Sequence, residues 1–284
     1  MLGFGNSPRE ALVASLLALA LVGVLASSLM RWRGLARLTD LLMPAALLAA
    51  YWLTYNKVPT FPPVGAVNKV FYVIAVGTAI GFAAEMAAPR AVRFLALLQP
   101  VAAAFYVGAP RLGTASWEVA LASVAGVAVM GMVFLRRATG AEEDVKRGGV
   151  VAVLALGFAP IALLGASSSS FQLCLMFASG CFGILVIHVA KPAFRFGGAS
   201  SIGALGGLIA IADTVVLITR KADLIALAVL AFCIVLPALS ERICRVFGLS
   251  RPFPRLFVHV VLAALPAAAA FAVVFVDYGS SYPV

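Results

Sequence analysis

The sequence predicts an all-α, polytopic integral membrane protein of about ten transmembrane helices with short loops. Three observations carry that expectation. First, 63% of the 284 residues are hydrophobic and only 11% are charged, with a mean hydropathy of +1.09. A soluble domain carries about 25% charge. So much apolar surface needs the bilayer as its solvent. Second, apolar runs long enough to cross a membrane recur along the chain. Third, the lysines and arginines divide unequally between the two sets of loops that those runs create. The whole chain, 1–284, is expected to form a single transmembrane domain with no soluble domain.

The first run covers residues 11–30 and is followed by Arg31 and Arg33. A cleaved secretory signal has a basic start and a short apolar core. This run has neither, so it reads as a first transmembrane helix. The second, 38–55, begins near Asp40, contains Pro44 and is barely long enough to span. The next five are 70–88, 94–109, 117–135, 150–166 and 171–190. Three more follow at Ala199–Thr219, 224–240 and 256–276.

Charge tests the count. With ten spans, one set of loops holds fifteen Lys and Arg, Arg136 and Arg137 among them, and the other holds six. Without the second span the split becomes thirteen to eight. The sharper asymmetry favours ten spans with both termini on the non-cytoplasmic side, and the expected location is a bacterial inner membrane. The net charge of +10 then reflects cytoplasmic loops rather than nucleic-acid binding. Tyr51, Trp52, Tyr55, Tyr72, Tyr106, Trp117, Tyr278 and Tyr282 fall at the non-cytoplasmic side and read as an interfacial belt.

Two loops stand out. The stretch 136–149 mixes both signs of charge and reads as a solvated connector. The stretch 54–69 contains Pro59, Pro62 and Pro63 and reads as a stiff connector or a cap over the outer face, with Lys57 and Lys69 as its basic candidates.

Ala199–Thr219 is the segment around which the chain is organised. At 100° per residue, Ala199, Gly203, Gly206, Ala210 and Asp213 share one face, while Leu205, Leu208, Ile209 and Val215 lie on the other side. The bare face suits close packing on protein, either within the chain or on a membrane partner. Asp213 lies about 21 Å from the cytoplasmic end of its helix. An aspartate at such depth costs about 2.5–3.5 kcal/mol on insertion scales. A proton, a substrate, a polar clasp to another helix or Arg220 should offset that cost.

Glu85 is a second carboxylate, near the opposite end of the membrane, beside Arg90 and Arg93. It shares a face with Thr78 and Gly81. Glu85 and Asp213 are too far apart to act as one pair but could mark the two ends of a polar path. Pro44, Pro100, Pro160 and Pro266 lie inside spans and are expected to kink them, with Gln99 beside Pro100. His188 and His259 are placed at similar depth and form an alternative pair of haem b ligands. Cys174, Cys181, Cys233 and Cys244 show no paired spacing, so neither a disulfide nor a metal site is expected.

Nucleotide-binding glycine loops, HExxH and GxSxG are absent, which disfavours an ATP-driven pump or a hydrolase. Size and span count are similar to those of ten-helix drug and metabolite exporters, but no motif carries that likeness. The expected function is a small-molecule carrier, proton-coupled and working by alternating access. Its candidate site is Asp213 in a cavity lined by Gly203, Gly206 and Ala210, together with Glu85 and Gln99. The alternatives are a non-catalytic membrane subunit or assembly factor that docks through the small-residue face, and a haem-bearing redox subunit. Expected partners are the lipid bilayer and a small-molecule substrate or proton, not nucleic acid.

Overall fold

A computed structural model describes residues 7–135 and 140–278. Arg136, Arg137, Tyr282 and the side chain of Tyr278 lie outside the described residues. Among the described residues the chain is helical and contains no strand. Ten helices among the described residues are long and apolar enough to cross a membrane. They are α1 (Pro8–Trp32), α2 (Ala36–Tyr55), α3 (Ala66–Ala87), α4 (Pro89–Val107) and α5 (Ser116–Phe134). Then come α6 (Ala141–Leu164), α7 (Ser168–Val186), α8 (Ala199–Thr219), α9 (Leu224–Val246) and α10 (Pro252–Tyr278).

Local chemistry sets several helix ends. The Ser7 hydroxyl accepts the Glu10 N–H, and Pro8 opens the first turn of α1. Asp223 caps α9 by accepting the N–H groups of Ile225 and Ala226, at 2.8 and 3.0 Å. Glu142, Glu143 and Asp144 fill the first turn of α6, where negative charge meets the positive end of the helix dipole.

That last feature corrects the solvated-connector reading of 136–149. The helix begins at Ala141, not near Val150, and Lys146 within it is only 3% exposed. Lys146 donates to Glu143 and Glu241, each at 2.6 Å, and lies 3.2 Å from Glu142. Arg255 pairs with Glu142 and Glu241 as well. This network ties α6, α9 and α10 together at one end of the bundle. Glu142, Glu143 and Glu241 converge as three carboxylates, and Lys146 lies among them.

Helix α8 is the most buried span, enclosed by α2, α3, α4, α5 and α6. α6 and α7 form a second buried layer, with α1 outside α7 and α10 against α6 and α9. The outer helices turn leucines and valines such as Leu17, Leu21 and Val22 of α1 to the surroundings, as lipid-facing helices do. Pro100, Pro160 and Pro266 lie within continuous helices, and Pro44 falls in the first helical turn of α2 after its 3-10 opening.

The aromatic belt is only partly lipid-facing. Trp52 and Trp117 are exposed, whereas Tyr51 is fully buried against Tyr55 and Phe71 and donates to Asn68 Oδ1 at 3.0 Å. The proline-containing loop is tied down by Tyr72, whose hydroxyl donates to the Pro59 carbonyl.

Candidate functional site

The small-residue face of α8 fits the backbone of α3 and the Gln99 side chain of α4. A Cβ on Gly81 would collide with the Gly198 carbonyl, and one on Gly203 would collide with Thr78. A Cβ on Gly206 would overlap the Gln99 amide, and Gly207 leaves room for Ile74 and Leu47. This face closes on helices of the same chain, so it is not left free to dock a partner helix. It also does not line a cavity with Asp213, as the sequence suggested for Gly203, Gly206 and Ala210. The first and last segments of α8, Ala199–Leu205 and Thr214–Thr219, are wound as π-helix. Such turns shift the register of a face, so a single 100° wheel over the whole span is out of phase.

The N-terminus of α8 is held by two carboxylates. Asp40, 1% exposed, accepts the N–H groups of Gly197, Ala199 and Ser200 at 2.7, 2.8 and 3.0 Å. The Ser200 hydroxyl returns a bond to the Asp40 carbonyl at 2.9 Å. Glu85 accepts the Gly198 N–H and pairs with Arg195, not with Arg90 or Arg93. Four orphan helix donors otherwise have no intrahelical partner, and negative charge is favoured there. Sequence reasoning noted Asp40 only as a span boundary. The legible signal was an aspartate at the start of a weak span together with a Gly197-Gly198 pair just before α8.

A cavity of about 520 Å³ borders this end of α8, lined by Glu85, Arg93, Asp144, Arg147 and Arg195 beside Gly197 and Gly198. Toward the other end lies a second cavity of about 580 Å³. Its walls are α5, α8 and α9, with Leu154 and Phe158 of α6. The lining is apolar apart from Asp213 and the Glu118–Arg220 pair, whose N–O distance is 2.9 Å. Between the two cavities α8 is packed directly on Thr78 and Gln99.

Asp213 is 5% exposed, lines the second cavity, and its Oδ2 has no hydrogen-bond partner among the described residues. The expectation that Arg220 reaches it is corrected, because Arg220 is engaged by Glu118. The Leu217 carbonyl in the last turn of α8 accepts from Arg111 at 3.0 Å. Both amide atoms of Gln99 are also buried without partners. Thr78 donates to the Ile74 carbonyl at 2.6 Å. Glu85, Thr78 and Gln99 therefore meet the chain at positions 198, 203 and 206, and Asp213 lies on α8 itself. At 1.5 Å per residue these levels span about 22 Å.

The remaining candidates belong elsewhere. Lys69 donates to the Tyr106 carbonyl at 2.7 Å and lies over its ring, joining α3 to α4, and Lys57 is exposed. The His188 Nε2 meets the Ser27 hydroxyl at 2.7 Å, and His259 Nδ1 meets Ser240 at 3.0 Å. Each imidazole binds a serine on a different neighbour, and α6 packs against both α7 and α10. This does not form a bis-histidine haem site. The four cysteines are buried and free.

No protein-family model and no curated protein matches this chain.

Proposed function

We propose that the chain is a proton-coupled small-molecule carrier of a bacterial inner membrane that works by alternating access. The observation that carries this reading is Asp213, a buried carboxylate with an unpartnered oxygen on the wall of a cavity of about 580 Å³. A bare structural clasp would satisfy that oxygen, since an unmade buried hydrogen bond costs about 1–3 kcal/mol. A proton or a ligand satisfies it instead. Protonation removes the charge when the cavity closes and empties.

Two further features support the reading. Cavities lie toward both ends of α8, with tight glycine packing between them. The π-wound ends of α8 are the places where a buried helix can rotate against its neighbours. In this mechanism α8 moves on the surface made by Gly77, Gly81 and Gln99, exposing Asp213 to each side in turn. Asp213, Gln99, Thr78 and Glu85 mark successive levels of the proton route along α8. In this reading the loops richer in Lys and Arg face the cytoplasm and both termini lie outside it.

Cysteine accessibility tests the reading without knowledge of the substrate. Cys174, Cys181, Cys233 and Cys244 are replaced by alanine, and Ala212→Cys is introduced beside Asp213. A membrane-impermeant thiol reagent should label position 212 in both right-side-out and inverted vesicles. Labelling from one side only, or from neither, would rule out alternating access.

A further inference from the structure

We propose that the Asp213 cavity takes a hydrophobic amine: a ligand with a protonated nitrogen bearing at least one N–H, on an apolar body. This rests on the carrier reading and specifies its substrate class.

The charge inventory of the cavity points to a cation. Glu118 and Arg220 neutralise each other within the protein. Asp213 is the remaining charged group on the wall, and none of the described residues answers its Oδ2. An anionic ligand would be placed beside a like charge in a weakly polar setting, which is costly. A neutral ligand without a donor would leave the carboxylate oxygen unsatisfied. A protonated amine supplies both the opposite charge and the missing donor, and such charge-assisted bonds are the strong ones.

The walls specify the rest of the ligand. Leu121, Leu205, Leu208, Ile209, Phe158 and Leu230 present hydrocarbon to the cavity. They can bury an aliphatic or aromatic body but offer no polar partners for sugar, phosphate or peptide groups. The way in is lateral. Leu121 and Ala125 on α5, and Leu224 and Ala228 on α9, line the cavity and are exposed, so the cavity opens between these two helices. Both helices are membrane spans, so the opening between them faces lipid. A hydrophobic amine concentrates in that phase and reaches Asp213 without crossing water.

The test uses the full chain in lipid nanodiscs and three probes that share a dibenzyl skeleton. Dibenzylamine is cationic with N–H donors, dibenzyl ether is neutral, and dibenzyl phosphate is anionic. Dibenzylamine is expected to raise the melting temperature of the wild type, while the ether and the phosphate leave it unchanged. Asp213→Asn is expected to weaken dibenzylamine binding by about tenfold or more. Ala228→Trp, on the exposed rim, keeps Asp213 intact and should abolish the dibenzylamine shift by blocking the opening. It also decides the matter if the Asp213 variant does not fold.

Stabilisation by all three probes alike, or by dibenzylamine equally in wild type and both variants, would overturn the amine assignment. So would the absence of a shift with any probe, the outcome expected if a lipid tail or a partner helix fills the cavity. These results are separable from the carrier reading. Two-sided labelling at position 212 with no amine selectivity refutes the substrate class alone. Amine binding with one-sided labelling keeps the site and removes the carrier.

Discussion

Two of the buried aspartates, Asp40 and Asp213, should respond oppositely to the same substitution. Asp40 is a cap whose two oxygens are fully used. Oδ1 accepts the N–H groups of Gly197 and Ser200, and Oδ2 accepts that of Ala199. In Asp40→Asn the carbonyl can keep the first two bonds, weakened from charged to neutral. The amide NH₂ then faces the Ala199 N–H, donor against donor. Weakening two charge-assisted bonds and orphaning one buried donor costs about 3–5 kcal/mol in total. For a chain of this size that is a fall in melting temperature on the order of 10 °C. Asp213 has an oxygen with no partner, so Asp213→Asn removes a buried charge and breaks no described bond to Oδ2. Its melting temperature should stay within about 2 °C of wild type, or rise. The assay is thermal unfolding of both variants and wild type in one detergent at neutral pH. If the Asp40 variant melts with wild type, the cap is not what holds α8 in place. A Asp213 variant that melts as early as the Asp40 variant would show that Asp213 is a structural clasp, and the carrier mechanism would fall with it.

Other outcomes follow from the same geometry. Gly81→Ala drives a methyl into the Gly198 carbonyl and should cost about 3 kcal/mol or more, whereas Gly113→Ala has open space and should be silent in the same thermal assay. Lys146→Met leaves Glu142, Glu143 and Glu241 facing one another with Arg255 alone to compensate. A loss of about 3–5 kcal/mol is expected there, and a wild-type denaturation midpoint would contradict the buried network. His188 lies beyond the end of α7, and burial, then the neighbouring Arg31 charge, pushes its pKa down to about 4. Its folded pKa is below the ordinary value of about 6.5, so the unfolded chain binds more protons between those pH values. Stability from this group is complete above about pH 6.5 and is lost as pH falls toward 4. His188→Gln should flatten that part of the stability–pH curve, and an unchanged slope would remove His188 as its source.

Much of the fold was legible because the bilayer imposes a simple rule. Every spanning segment must be apolar and must satisfy its own backbone hydrogen bonds. Hydropathy therefore located all ten helices, and the charge asymmetry correctly retained the weak second one. The bounds of α8 coincide with the apolar run. The rule failed at 141–149, because Lys146, Glu142 and Glu143 cancel one another only when α9 and α10 bring Glu241 and Arg255 beside them. Charge along the chain reads as solvation, and charge paired in space does not.

The site divides in the same way. The sequence by itself determined that an acidic residue lies deep in a small-residue helix, and that Glu85 lies near the opposite end. It also determined that Gly203 and Gly206 allow another backbone close to α8. Only the tertiary structure decided which helices approach, that Asp40 joins Glu85 at the start of α8, and that Arg220 turns to Glu118 instead of Asp213. It also decided that the glycine face is closed and that the cavity lies along Leu205, Leu208 and Ile209. The physical reason is one of range. Hydropathy and helical spacing are properties of consecutive residues, and they survive in the linear order. The cap that holds α8 and the Glu118–Arg220 pair depend on residues more than a hundred positions apart, such as Asp40 with Ala199. The π-wound ends of α8 shift the helical phase by amounts that packing sets and spacing does not.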